Sequence, residues 1–578
     1  MDRDRVAVKV DKGTRKQVDK RVRSPLSTCL LFVPLGFLAV FYFYPLIAIT
    51  RLSVTPHGAL DLRALAALVS SSYYIGTLWF TTWQALASTA LTLLAGLPAA
   101  YVFARYDFPG KTLLRSLTTI PFVLPTVVVA AAFTALLGPS SPLNLALMRI
   151  FRLDHPPIQL LGTIWMILLA HVFYNYTVVL RIVGSFWANL DPALENAAAV
   201  LGANRIRRFI EITLPLLMPA VTAAGLLVFI FDFTSFGVVL ILGGAQFATL
   251  EVEIYRQTVN LFNLPMAAAL SVVQIACTLA LTAVYTRLQA RTARPLNLRP
   301  QSITQRKPNT LRTRILVSAN VTLMAVLLLT PLTALVLRAI GDGLQPLAEL
   351  FVNRRGSYFY VPPVVAIRNS LLVAGITVAA SLVLGFIAAN FISRSEIPAR
   401  GRAGRWTAIL DPIFMLPLGT SAVTLGFGYI IALGTPPLDL RASPALLPLA
   451  HTLVAFPFVV RSLLPVLRGI RPSLRQAAAV MGAPPWRVWR EVDLPIVGRA
   501  MLVAAAFAFA ISMGEFGATA LVARPEFPTM PVVIYRFLGL PGALNYGQAL
   551  AMSTLLMLVV AVGIALIERV RVGEVGEF

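Results

Sequence analysis

The apolar residues of this chain gather into stretches of roughly 20 or more, the length a helix needs to cross about 30 Å of hydrocarbon. Breaks at Pro, Gly and charge divide them into candidate spans at 29–50, 77–104, 113–138, 157–184, 212–243 and 266–289. A second set of six follows at 314–340, 367–393, 406–433, 444–466, 492–523 and 548–568. Helices of this kind satisfy their own backbone in lipid, so the pattern predicts an all-α integral membrane protein of about twelve transmembrane helices.

Composition agrees with the pattern. Of 578 residues, 57% are hydrophobic and only 13% charged, a balance foreign to a water-soluble fold of this size. A formal net charge of +24 raises the question of nucleic acid, but Lys and Arg lie in short runs between apolar stretches, where they report topology. The expected partner is therefore the lipid bilayer, with no nucleic acid. If the chain starts in the cytoplasm, the inside loops hold Arg105, Lys111 and Arg115; Arg205, Arg207 and Arg208; Arg394, Arg400, Arg402 and Arg405; and Arg487 and Arg490. That distribution predicts a multi-pass protein of the cell (inner) membrane with both termini cytoplasmic. Residues 1–24 carry nine Lys/Arg and four Asp, too charged for a signal n-region, so the first apolar run reads as a retained span. Cys29 and Cys277 sit far apart in apolar segments and indicate neither a disulfide framework nor a metal cluster.

The stretch 287–314, with eight Lys/Arg, three prolines and no acid, divides the chain. The expected organisation is a basic cytoplasmic tail over 1–28, a first lobe over 29–290, a basic cytoplasmic linker over 291–313, a second lobe over 314–570 and a tail over 571–578. The lobes are copies. Leu169-Ala170-His171 recurs as Leu449-Ala450-His451, and Arg181, Pro192 and Gly202 recur as Arg461, Pro472 and Gly482, always at an offset of 280. The register continues through Glu211/Glu491, Leu214-Pro215/Leu494-Pro495, Phe236-Gly237/Phe516-Gly517, Thr249/Thr529 and Ile254-Tyr255-Arg256/Ile534-Tyr535-Arg536. Because each half has an even number of spans, the halves share one orientation, a parallel repeat about an axis along the membrane normal. A solute path is expected on that axis.

Between the fourth and fifth spans of each half lies a polar segment. The first copy runs from Asp191-Pro192 through Glu195-Asn196-Ala197-Ala198 to Gly202, and the second from Arg471-Pro472 through Arg475-Gln476-Ala477-Ala478 to Gly482. Asp191 suits an N-cap, Pro192 the first helical position, and Gly202 a left-handed stop, which predicts a short helix and a turn. This pattern resembles the "EAA" loop of binding-protein-dependent ABC importer permeases, in which Glu-Ala-Ala, a Gly four residues after the last Ala, and a later Leu-Pro recur. The resemblance covers most of the chain and implies a type I importer permease fold, with this loop as the coupling helix that docks on an ATPase. It carries that role to Ala197, Ala198 and Gly202 and to Ala477, Ala478 and Gly482. The family's Glu position is Asn196 in one copy and Gln476 in the other, while Glu195 stands one residue early, about 100° around the helix. The partners implied are two ATP-binding-cassette subunits, which use the ATP and Mg, and an extracytoplasmic solute-binding protein. This chain would bind no cofactor itself. Fused two-lobed chains of this kind look most like thiamine and ferric-iron permeases, and Leu242-Gly243-Gly244-Ala245-Gln246 and Ile511 to Gly517 look especially like the thiamine type.

Two acids fall inside spans, Asp232 and Glu515; the repeat puts Glu515 at the position of Ser235, three residues after Asp232 and on much the same face. One reading places Asp232, Ser235, Ser512 and Glu515 along a path for a cation. The other holds each acid within its own lobe, bonded to neighbouring helices. Sulfate and molybdate permeases also resemble the Gly514-Glu515-Phe516-Gly517 stretch, so an anion stays open as the solute. His171 and His451 read as buried bridges between helices rather than metal ligands. The segments 244–262 and 524–540 read as short outer helices at the lobe mouths.

Gly110-Lys111-Thr112 lacks the upstream Gly and the strand of a P-loop, and neither metal-ligand spacing nor a nucleophile elbow occurs. The chain is read as a transport subunit, not an enzyme. An ion-coupled secondary transporter also has two parallel halves, but it has no need of paired Ala-Ala loops. Gly202→Asp combined with Gly482→Asp is expected to abolish solute uptake; uptake at the level of the unaltered chain would remove the coupling-helix reading.

Overall fold

The computed structural model describes residues 25–572 apart from 57, 293–304, 342, 354–360, 396–409, 435 and 437. The basic N-terminal tail, most of the interlobe linker, Arg400, Arg402, Arg405 and most of the C-terminal tail lie outside the described residues. Among those described, the chain is helical throughout, with eleven helices long and apolar enough to span a bilayer and a twelfth span made of a bent pair.

The first lobe consists of α1 (Leu30–Val54), α2 (Ser72–Arg105), α3 (Thr126–Leu137), α4 (Ile164–Ala188), α5 (Pro192–Val200), α6 (Arg205–Phe233), α7 (Gly237–Leu242), α8 (Leu250–Tyr255) and α9 (Leu264–Thr292). The second repeats this order as α10 (Leu311–Gly341), α11 (Val365–Ser395), α12 (Ala422–Ala432), α13 (Leu446–Gly469), α14 (Pro472–Val480), α15 (Trp486–Gly514), α16 (Gly517–Val522), α17 (Met530–Leu538) and α18 (Ala543–Val572). The end that carries α5 and α14 is the near end below, and the opposite end the far end.

Each lobe is built on a triad, α2–α4–α6 in one and α11–α13–α15 in the other. Small residues let these helices close, since lipid offers no hydrophobic drive for their association. A Cβ on Gly96 would lie 2.8 Å from Val179 Cβ, and one on Gly385 would lie 2.6 Å from Val459 Cγ1, the same contact in both copies. The first span of each lobe leaves its own triad. α1 lies against α11, α12 and α9, with Tyr42 Oη 2.7 Å from Thr420 Oγ1 of the second lobe, while α10 packs on α3 of the first lobe and on α18. The two halves of the sequence are thus interleaved in space.

Four of the uninterrupted spans read from hydropathy are broken in the structure. The span expected over 113–138 stops at Leu124, held extended (ψ 141°) before Pro125, as the residue preceding a proline prefers. Its counterpart bends by 97° between Leu410–Gly419 and α12, where Ser421 caps the new helix. The fifth span of each half also breaks, at 234–236 between α6 and α7 and at 515–516 between α15 and α16. Gly237 and Gly517 follow these breaks. A Cβ on Gly237 would collide with Thr126 Oγ1 and lie 3.2 Å from Phe516 Cδ1 of the other lobe.

The short helices α8 and α17 are not at the lobe mouths, as hydropathy suggested, but inside the bundle. Every residue of α8 is buried, and its first backbone N–H, on Leu250, donates to Thr81 Oγ1 at 3.0 Å. Thr81 stands nine residues into α2, about 14 Å from its far-end start at 1.5 Å per residue. In the second lobe Met530 N donates to Ser370 Oγ at 2.9 Å. Both are therefore re-entrant, starting deep and returning toward the far end. Gly237→Ala is expected to lower stability by about 1–3 kcal/mol through overpacking, while Gly36→Ala, with open space around the added methyl group, is tolerated; thermal unfolding in detergent compares the two.

Candidate functional site

At the near end the loops between the fourth and fifth spans fold as helices α5 and α14. Asp191 Oδ1 accepts from Ala193 N at 2.9 Å at the start of α5. Both helices end in the same way, with Gly202 and Gly482 at φ +85°, Ala203 N bonding Ala198 O, and Ala483 N bonding Ala478 O. That left-handed turn requires a residue without a Cβ penalty. It leaves Val200, Leu201, Val480 and Met481 more than 80% exposed, repeat-related pairs of apolar side chains at the helix tips.

The displaced acid has a partner inside the chain. Glu195 Oε1 accepts from Arg105 Nη2 at 2.8 Å and from Thr213 Oγ1 at 3.0 Å, fastening α5 to the end of α2 and to the start of α6. In the second lobe the charge at this position is reversed and the ion pair runs to α15 instead, Arg475 Nε donating to Asp493 Oδ1 at 2.7 Å, where the first lobe has Thr213. Positions 195 and 475 thus hold the helices in place, and Asn196, Ala197, Gln476 and Ala477 stand beside them with Ala198 and Ala478. Lys111, in the P-loop-like triplet, donates from Nζ to Tyr106 O at 2.7 Å, and burial brings its ammonium down to about 8.

Within the membrane, the candidate path residues are taken up by their own lobes. Asp232 Oδ1 accepts from Asn175 Nδ2 at 2.7 Å and lies 3.5 Å from His171 Nδ1. His171 bridges Ser88 and Ser235 at 2.9 and 2.8 Å. Glu515 accepts from the backbone N–H groups of Ala518 and Thr519 at 2.7 and 3.0 Å and from the Thr519 hydroxyl, capping α16, and lies 3.2 Å from His451 Nε2. Ser512 meets His451 Nδ1 at 2.8 Å. A carboxylate in low dielectric takes the nearest donors, and these lie on helices of its own lobe. The two histidines are helix bridges, as their repeated positions suggested.

What meets across the pseudo-axis is aromatic. Phe236 and Phe516, both at the breaks of the fifth spans, stack with ring centroids 5.5 Å apart and planes at 24°. Behind each stands its own tyrosine, Tyr255 at 5.5 Å and 56° from Phe236, and Tyr535 at 5.3 Å and 57° from Phe516. Four repeat-related rings, with Phe236, Tyr255 and Phe516 buried and Tyr535 half-buried, close the space between the lobes at this depth. The offset of 280 marked all four residues, but nothing in the sequence said that they face each other.

A parallel pair of helical lobes, joined at a ring closure and carrying matched exposed helices at one end, is the architecture of a membrane transport subunit. Residues 92–294 match the family described as binding-protein-dependent transport system inner membrane component. A probable ABC transporter permease of Sinorhizobium fredii is 27% identical over 93% of this chain and 95% of its own. A thiamine transport system permease of Escherichia coli is 27% identical over 82% of this chain and 85% of its own. A putative 2-aminoethylphosphonate transport system permease of Salmonella paratyphi A is 28% identical over 45% of this chain and 91% of its own. The crystal structure of a bacterial ABC transporter that imports the acidic polysaccharide alginate aligns with 48% of this chain and 100% of its own, at 19% identity and a TM-score of 0.39.

Residues 92–294 carry the domain of that family, and over most of its length the chain is similar to ABC transporter permeases. It is a multi-span inner-membrane transport subunit, not an enzyme; the ATPase and the solute-binding protein are separate components.

Asp232→Asn and Glu515→Gln are each expected to lower stability by about 1–3 kcal/mol, the cost of a disturbed buried hydrogen-bond network, with solute preference kept. Thermal unfolding run beside competitive uptake checks this, and a changed preference would return the acids to the path.

Proposed function

We infer that the chain imports a thiamine-type solute, with α5 and α14 on the cytoplasmic side as the docking points of two ATPase subunits. The single observation that carries the coupling role is the pair of identical helix ends, where Val200-Leu201 and Val480-Met481 stand exposed on glycine turns and offer an apolar tip to a cleft in each ATPase. Glu195 is engaged with Arg105, so the contact at this position rests on Asn196 and Gln476 as hydrogen-bonding groups rather than on a salt bridge. The basic loops at that end support the cytoplasmic orientation. ATP and Mg belong to the partner subunits.

In this reading the stacked rings of Phe236 and Phe516 are the closed outer side of the path. When ATP draws the ATPase subunits together, α5 and α14 move with them, and the lobes part on the far side to receive solute from the capture protein. Likeness over most of the chain to permeases named for thiamine transport supports the solute; the half-length likeness to an aminoethylphosphonate permease makes that zwitterion the competing solute.

The test is the ATPase rate of the permease reconstituted with its co-encoded ATPase and capture protein, with thiamine, ferric iron or 2-aminoethylphosphonate added. Stimulation by thiamine alone is expected. Leu201→Asp with Met481→Asp is expected to cut that stimulation at least about tenfold, as loss of two buried anchors would.

A further inference from the structure

The repeat fails at two charged positions on the re-entrant helices, Glu251 opposite Pro531 and Glu253 opposite Val533. Only the first lobe carries a carboxylate at either. Glu251 is buried between the lobes. It accepts from Gln274 Nε2 of α9 at 3.3 Å and faces Ser421 of the second lobe. Ser421 is the N-cap of α12, its oxygen accepting from Val423 and Thr424 N at 3.2 and 3.4 Å. The carboxylate thus faces the positive end of a helix at its capping serine. These partners are neutral, an expensive arrangement for a buried carboxylate. Gln274 Oε1 beside it is buried without a hydrogen bond.

Glu251 lies next to the ring closure. Tyr255 is four residues on, one turn along the same face of α8, and rests on Phe236. Across the interface, Ala422 follows Ser421, and a Cβ on Gly517, the neighbour of Phe516, would lie 3.1 Å from Ala422 Cβ. Of the other charges nearby, Glu253 accepts from Tyr73 Oη and Gln257 Nε2, Arg256 donates to the carbonyls of Gly244 and Ala245, and Arg536 of α17 is half-buried within electrostatic reach of Tyr255. Ring faces attract cations, above all where water is excluded.

We propose that Glu251, with Tyr255 and the Phe236–Phe516 pair, forms a one-sided station for a flat organic cation on the path between the lobes. While the rings are stacked, the carboxylate is parked on Ser421; when the lobes part, Ser421 withdraws and the cation takes its place, its plane against the ring faces. The proposal rests on the importer reading above and narrows its solute to this class. A hydrated ferric ion gains little from ring faces, and an anion meets the carboxylate.

The permease, assembled with its ATPase subunits and capture protein in nanodiscs and held with ATP and vanadate, is titrated with N-methylquinolinium, a flat fluorescent cation, with neutral quinoline, and with thiamine. The unaltered complex is expected to prefer N-methylquinolinium to quinoline at least about tenfold. Glu251→Gln removes that preference, Glu251→Asp recovers most of it, and Ser421→Ala strengthens cation binding a few fold because the parked state is weakened. Equal cation affinity in the unaltered and Glu251→Gln complexes, or no preference in the unaltered one, overturns the station. Should Glu251→Gln fail to assemble, Ser421→Ala decides, since unchanged or weaker cation binding overturns the proposal. If thiamine is neither bound nor transported while N-methylquinolinium binds in a Glu251-dependent way, the solute reading falls and the station stands. If thiamine is transported and Glu251→Gln binds it as the unaltered chain does, the station falls and the transport reading stands.

Discussion

In hydrocarbon every backbone N–H and C=O must find a partner inside the protein, and the rest of this structure follows from how the chain meets that demand where it stops being helical. Irregular backbone is tolerated in a membrane only where protein surrounds it, and here the breaks lie where the lobes meet. Each is served by a polar side chain. Thr81 and Ser370 accept from the first N–H of α8 and α17, Glu515 caps α16, and Ser421 caps α12. Asn369 donates to Pro528 O on the approach to α17.

This accounting explains why the intramembrane acids are where they are. A carboxylate at such depth reads first as a functional group, yet Glu515 accepts two backbone N–H groups and Asp232 is tied to Asn175 on α4. They hold broken helices in position. Relieved of that duty, the meeting surface on the axis is left to Phe236 and Phe516, whose rings need no hydrogen-bond partner across the interface and separate at lower cost than a buried ion pair. A closure that must open and reseal in every cycle is better built from rings than from paired charges.

The near end follows the opposite logic. There the backbone is exposed to water, so helix ends need not be enclosed, and charge is used to fix geometry. Glu195 with Arg105 and Arg475 with Asp493 fasten α5 and α14 to their lobes with opposite polarity and one outcome, a rigid short helix with an apolar tip. A lever of this sort moves its whole lobe when pushed. The interleaving of α1 and α10 with the opposite lobes links the two halves of that motion across the bundle.

The spans, their parallel duplication, and the two short helices ending at Gly202 and Gly482 were legible in the sequence. Hydropathy, a fixed offset and helix-end chemistry are local signals, and they act on neighbouring residues. Asn196 and Gln476 were visible as departures, but not the reason, because Arg105 lies 90 residues from Glu195. The breaks in the spans, the burial of α8 and α17, and the swapped positions of α1 and α10 were hidden for the same cause: an apolar run has the same hydropathy whether it faces lipid, its own lobe or the other one. Only the tertiary structure decided which residues cross the axis. It withdrew Asp232 and Glu515 into their lobes and brought Phe236 onto Phe516, because partners for a carboxylate and space for a ring are set by packing between distant segments, which no single stretch of sequence contains.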